Sequence, residues 1–188
     1  SVSKDLTIIK NDIFRQPITF SQFSGLIKWK NNLFNFKNIV IQNNDINTIV
    51  NGQYKYRDRQ DSIIDLVIKI PLADLPSLKK YYPLQIGEKT LRWLDTSLLR
   101  GQAENTAIKL KGKIKDFPFV NTKNEPDLKK GIFTAESTIT DSFIEYGKGW
   151  PELNNFDFKI NVSNNNIKFQ SIEGDLLGNK VVRMIGNI

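Results

Sequence analysis

The chain has 188 residues, a formal net charge of +7, and neither cysteine nor histidine. That length suits one domain or two small repeat units. The two missing residue types exclude disulfides, thiolate metal sites and cysteine nucleophiles, and remove the commonest general base and transition-metal ligand, so the chain reads as non-enzymatic and no cofactor is implied.

Hydrophobic residues make up 39% and charged residues 25%, enough apolar material for a core and too much for wholesale disorder. No uncharged apolar run approaches the roughly 18 residues of a membrane span. The chain opens at Ser1 without a signal-peptide pattern, and is read as a processed form or an excised piece of something longer.

In chain order, period-2 alternation dominates. Phe23, Gly25, Ile27 and Trp29 share one face of a first strand. Lys30-Asn31-Asn32 is a tight turn into strands Leu33–Phe36 and Ile39–Ile41, broken by a bulge at Lys37-Asn38. Asn51–Arg57 and Ser62–Ile70 follow, joined by a polar turn at Asp58-Arg59-Gln60-Asp61, with Ile64, Leu66, Ile68 and Ile70 on one face.

The middle changes character. Asp74 is placed to cap a short helix from Leu75 to Tyr82, with Pro76 early enough to be tolerated and Pro83 as its stop. A second helix is expected from about Gly87 to Arg100, with a Leu91, Leu94, Leu98 stripe flanked by Trp93, and Gly101 as its C-terminal stop. The stripe is expected to pack against its own domain.

Strands then resume. Ile108–Lys115 alternates apolar residues with lysines, a half-buried antiparallel strand. Asn121–Lys130 is a polar loop with Pro126. Further strands are expected at about 131–139, 142–147, 156–162, 166–174 and 180–187, with Ser163–Asn166 turning a hairpin. Phe117-Pro118-Phe119 and Trp150-Pro151 read as turns anchored by a ring.

Polar clusters add little chemistry. Asp58 and Asp61 lack an apolar pocket that would tune an acid–base pair. Glu125 and Asp127 supply too few oxygens at tight spacing for calcium. Single-strand nucleic-acid sheets put aromatics and lysines on one face, whereas Lys109, Lys111, Lys113 and Lys115 lie opposite the apolar residues, so no nucleic acid is expected.

Several segments resemble one family in order. Asp74-Leu75 through Tyr81-Tyr82-Pro83, Leu91-Arg92-Trp93-Leu94-Asp95 and Leu98-Leu99-Arg100-Gly101 are similar to a stretch of the YhdP-type AsmA-like proteins. So are Ile108-Lys109-Leu110-Lys111-Gly112, Phe117-Pro118-Phe119, Gly131-Ile132-Phe133-Thr134-Ala135 and Ile144 through Leu153 with Gly149-Trp150-Pro151. Gly25–Trp29 and Asn51–Tyr54 also match the pattern. The resemblance covers residues from about 17 to 188.

The resemblance implies a mainly β fold: an elongated, curved antiparallel sheet forming an open, taco-like groove, with a helical insert around 74–101. The chain 1–188 would be a single segment of a larger region, with strands about 1–70 and about 106–188 on either side of the insert. It would lie in the periplasm, anchored to the inner membrane by a helix outside this piece. Its partners would be phospholipid, neighbouring segments of the same longer chain, and the inner and outer membranes at the ends of the full protein. The implied function is a conduit that shields acyl chains in an apolar groove; the alternative is a structural or interaction module of the envelope. The residues expected to face the groove are Phe34, Phe36, Ile64, Leu66, Ile68, Ile108, Leu110, Ile114, Phe156, Phe158, Ile160, Ile167 and Phe169. Alternation alone does not separate an open groove from the core of a β-sandwich.

Overall fold

In the computed structural model most of the strands form one open antiparallel sheet. The structure describes residues 2–3, 6–8, 14–58, 61–82, 84, 88–145, 147, 149, 151–181 and 183–187. Expected features at Pro83, Gly87, the centre of the 58–61 turn (Arg59, Gln60), Tyr146 and Trp150, and the side chain of Trp93, lie outside the described residues.

The strands are β1 (Val2–Ser3), β2 (Leu6–Ile8), β3 (Ile18–Phe20), β4 (Gln22–Lys30), β5 (Leu33–Gln42), β6 (Asn47–Lys55) and β7 (Ile63–Asp74), then β8 (Leu98–Lys113), β9 (Gly131–Ile144), β10 (Leu153–Ser163), β11 (Asn166–Leu176), β12 (Asn179–Val181) and β13 (Ile185–Asn187). The sheet runs β1-β4-β5-β6-β7-β8-β9-β10-β11-β12, with β13 also on β11; β2 and β3 form a separate ribbon. From β4 to β11 every neighbour in space is the neighbour in sequence, a meander. The turn between β4 and β5 uses Asn31 (φ 48°) and Asn32 (φ 60°), the two positive-φ positions a two-residue hairpin loop requires.

The helical insert is smaller than expected. Pro76–Tyr81 is a 3-10 turn, with the Asp74 carboxylate accepting from the Ser77 N–H and hydroxyl. The helix α1 spans Glu88–Ser97 and stops there. Leu98, Leu99 and Arg100 open β8 instead, because Leu98 and Arg100 pair with Ile144 and Phe143 of β9. Gly101 is therefore not a helix stop. It sits within β8, and a Cβ on it would come 2.9 Å from the Ser142 Cα. Strand pairing and burial of Leu98 override a helix-period pattern of leucines.

The strands are interrupted by bulges. Asn38, Asn105, Asp141 and Asn155 have φ between 46° and 51° and sit at or beside register shifts. Asn and Asp tolerate this left-handed conformation better than other side chains. Two of the displaced backbone N–H groups find side chains: Asn38 donates to Asn51 Oδ1 and Asp141 to Asp157 Oδ1, each at 2.8 Å. The sequence breaks expected near 37–38 and 140–141 are thus bulges inside continuous strands, and they increase the local twist and bend of the sheet.

One end of the apolar face is covered. Ile18 and Phe20 of β3 pack with Ile46 and Ala73 under Leu78 and Tyr81. Beside them Leu75, Leu98, Ala103, Ile139, Ile144, Phe156 and Phe158 form a second cluster, packed by Leu94 of α1, Val181 and Met184. Tyr81 anchors this cover: its hydroxyl donates to Asp45 and accepts from Asn43, and Lys80 pairs with Asp45. Burial pushes the Tyr81 and Tyr82 hydroxyls up to about 12.

Candidate functional site: a one-sided apolar trough

Residues paired across antiparallel strands share a face, so the register identifies the floor of the sheet. One row runs Ile39, Val50, Ile68, Ile108, Ala135, Val162, Ile167, one residue from each strand β5 to β11. Ile39 is buried and the other six are half-buried. At a strand spacing of about 4.8 Å this row is roughly 29 Å long. A second row runs Ile27, Phe36, Gly52, Leu66, Leu110, Phe133. A third runs Trp29, Phe34, Tyr54, Ile64, Gly112, Gly131. The second sheet, the β2–β3 ribbon, packs through Ile18 and Phe20 with Ile46, Ala73, Ile41 and Ile70, and neither buried cluster among the described residues includes a residue of these rows.

The third row ends in a wall. Gly112 and Gly131 face each other, and a Cβ on either would come 2.5–2.6 Å from the Phe119 ring. Phe119 fills that space and is 0% exposed. Its ring meets Phe117 edge-on at 5.8 Å, and Phe117 meets Phe133 at 5.3 Å. The buried Asn164 locks the loop: its Nδ2 donates to Phe119 O at 2.9 Å, and its Oδ1 accepts from Phe133 N at 2.8 Å. The polar loop behind is organised by Asn121, whose Oδ1 accepts from the N–H groups of Lys123 and Glu125. The ring-anchored turn read at Phe117-Pro118-Phe119 is therefore a side wall of the floor.

The expected groove residues fall into three sets. Phe34, Phe36, Ile64, Leu66, Ile68, Ile108, Leu110 and Ile167 stand half-buried on the three rows. Ile160 and Phe169 are half-buried at the margin of the covered cluster. The remaining three lie elsewhere: Phe156 and Phe158 are 1% and 6% exposed inside the covered cluster, and Ile114 is 40% exposed in a 3-10 turn (Ile114–Asp116) beyond the Phe119 wall. The covering pieces are far from Phe158 in sequence, and Ile114 keeps the alternation of β8 after the strand has ended.

Ile39, Val50, Ala135, Val162 and Phe133 complete the rows although none of them is among the expected groove residues. Their sequence signal is the pairing partner, which no single strand reveals. Leu91 is buried and Leu94 packs on the covered cluster, so the helix stripe serves the cover.

The opposite face carries the charge. Lys69, Lys109, Lys159 and Lys168 are exposed there, and Lys111 pairs with Asp65 at 2.9 Å. At one hairpin tip Lys115 and Lys113 both bond Asp61, at 2.9 and 3.0 Å, and hold its carboxyl at about 2. Among the described residues no group of three or more acidic side chains could hold a metal ion, and no helix is long and apolar enough to cross a membrane. The arrangement of the floor offers apolar contact.

Comparison with known proteins bears on this geometry. No curated protein and no solved structure matches the chain. The family model described as "YhdP protein" matches residues 2–188, so the chain belongs to the YhdP family, a family of bacterial envelope proteins related to lipid transport.

Proposed function

We propose that this chain is a non-enzymatic segment of a lipid conduit, in which phospholipid acyl chains lie on the three-row floor and pass along it across the strands. The single observation that carries the reading is the continuous apolar row that leaves the buried Ile39 and runs half-buried from Val50 to Ile167, outside both buried clusters among the described residues. Family membership points the same way.

The physics is one of continuous shielding. Burying a methylene is worth about 0.8 kcal/mol. A tail of roughly 16 carbons therefore costs on the order of 10 kcal/mol to draw through water. A floor about 29 Å long lets each apolar contact be exchanged for the next before the last is lost. In the proposed setting the segment stands in the periplasm between neighbouring segments of a longer chain, with the inner and outer membranes at the ends of the whole and a membrane anchor outside this piece.

The test is mass spectrometry of organic extracts from protein purified without harsh detergent. Co-purifying diacyl phospholipid supports the reading. Lipid-free protein whose floor, carrying an introduced tryptophan, is also not quenched by brominated lipid removes it.

A further inference from the structure

The face of the sheet turned away from the trough carries charge that the fold leaves unspent. One residue over from each apolar row, the register lines up a polar stripe. One stripe runs Lys28, Asn35, Gln53, Asp65, Lys111. Another runs Lys69, Ala107, Glu136, Asn161, Lys168. Between them Asn51, Val67, Lys109, Thr134 and Ser163 are paired in turn, Asn51 to Val67 to Lys109 to Thr134 to Ser163. Lys111 is committed to Asp65, and Lys113 at the hairpin tip to Asp61. Lys28, Lys30, Lys55, Lys69, Lys109 and Lys168 are exposed and have no ion pair among the described residues. Lys28 and Lys30 are two residues apart on β4, and Lys30 and Lys55 lie two strands apart, so these charges stand at intervals of roughly 7–10 Å. That is close to the Debye length of about 8 Å at physiological salt. The lysines therefore repel one another, and an extended polyanion laid across them relieves the repulsion at several points at once.

We propose that this outer face docks a carboxylate-bearing glycan. The other side chains of the stripes choose among polyanions. Asn35, Gln53, Asn161, Thr134 and Ser163 stand between the lysines and offer both donors and acceptors, as sugar hydroxyls require. No aromatic ring stands in the stripes to stack a nucleic-acid base or to anchor in a membrane interface. Their cations are all lysine and none is arginine. Lysine is a hydrated point charge without the planar fork that grips phosphate, so each contact is weak and exchangeable and the binding comes from their number. The proposal does not rest on the conduit reading, because the glycan and the acyl chains would use opposite faces of one sheet.

The experiment titrates the full chain with polygalacturonate and, at equal anionic charge, with poly-L-glutamate, oligodeoxythymidylate and phosphatidylglycerol vesicles. Neutral dextran is the blank. Polygalacturonate is expected to bind more tightly than the other three, and to lose more than about tenfold in affinity between roughly 50 and 200 mM salt. Two charge reversals of equal net charge are then compared. Lys28→Glu with Lys55→Glu alters the stripes and should weaken polygalacturonate roughly tenfold. Lys123→Glu with Lys129→Glu alters exposed lysines of the loop behind Phe119 and should leave binding nearly unchanged. Lys28→Gln with Lys55→Gln, checked by thermal melting, should give a smaller loss at an unchanged Tm, which separates lost contacts from lost folding.

Absence of polygalacturonate binding at low salt overturns the proposal. Equal weakening by the two reversals makes the attraction one of net charge and overturns the docking face. Poly-L-glutamate, oligodeoxythymidylate or vesicles binding as tightly as polygalacturonate overturns the choice of a glycan. Each of these results leaves the trough and its lipid untouched, and protein that purifies free of lipid leaves the outer face untouched in turn.

Discussion

Replacing Leu66 by Asp separates an open floor from a closed core. Leu66 lies in the second row between Gly52 and Leu110 and is half-buried. Full burial of a leucine contributes about 1.5–3 kcal/mol, so losing half of it costs folding about 1 kcal/mol. For a chain of this length that lowers Tm by roughly 2–4 °C. The new carboxylate faces the open trough and stays hydrated in the lipid-free protein. Under a tail the same carboxylate meets hydrocarbon, at about 3 kcal/mol, which is roughly a hundredfold in occupancy. Thermal melting and lipid quantification on one preparation read both numbers. Phe158→Asp is the contrast, because Phe158 is sealed in the cluster beneath the cover. A charge there costs more than about 4 kcal/mol and takes most of the stability of an ordinary domain. If Leu66→Asp melts the protein as Phe158→Asp does, the floor is a core and the reasoning fails. If it leaves both stability and bound lipid unchanged, tails do not lie on that row.

Gly131→Ala places a methyl 2.4 Å from Lys111 O and 2.6 Å from the Phe119 ring; a loss of about 1–3 kcal/mol with a changed near-ultraviolet aromatic signal is expected by thermal melting and circular dichroism. Asn164→Ala takes the partner of Phe133 N and one of two donors to Phe119 O, which keeps the Asp127 N–H; about 1–3 kcal/mol should be lost, with faster amide exchange at Phe133. Tyr81 and Tyr82 ionise at about 12 in the fold against about 10 when unfolded. Their protonated forms are favoured by folding, so their contribution is complete below pH 10 and is lost as pH rises toward 12. Melting measured across that range should fall, and Tyr81→Phe with Tyr82→Phe should flatten the fall.

Much of the sheet is legible from the chain alone. The period-2 pattern of Ile108–Lys113 and Phe156–Val162, and the Asn pair at 31–32, locate strands and turns that the structure contains. The bulge expected at Lys37-Asn38 is present because Asn38 takes the left-handed conformation that its side chain tolerates. The helix pattern runs too far because Leu98 fits both a helical stripe and the first position of β8, and only pairing with Ile144 decides. Within the site, each strand reveals which residues share its own face and says nothing of what lies above them. Open and covered positions therefore look alike in sequence: Leu110 and Phe158 both alternate with polar neighbours, yet one is open and the other covered by α1, Val181 and Met184. The Phe119 wall needs the pairing of Gly112 with Gly131, distant in the chain, before its seat can be recognised.

The left-handed Asn and Asp residues inside the strands have a consequence for how such a surface can change over time. Because each adds one residue that the neighbouring strand does not match, deleting Asn38 or Asn105 alone would leave the apolar side chains on their face and remove the local bend. The bend of the sheet is thereby written into a few small polar residues and not into the greasy ones. The apolar positions are left free to exchange one aliphatic side chain for another, and so to follow a change in the membrane's lipids, while the shape that carries them stays fixed.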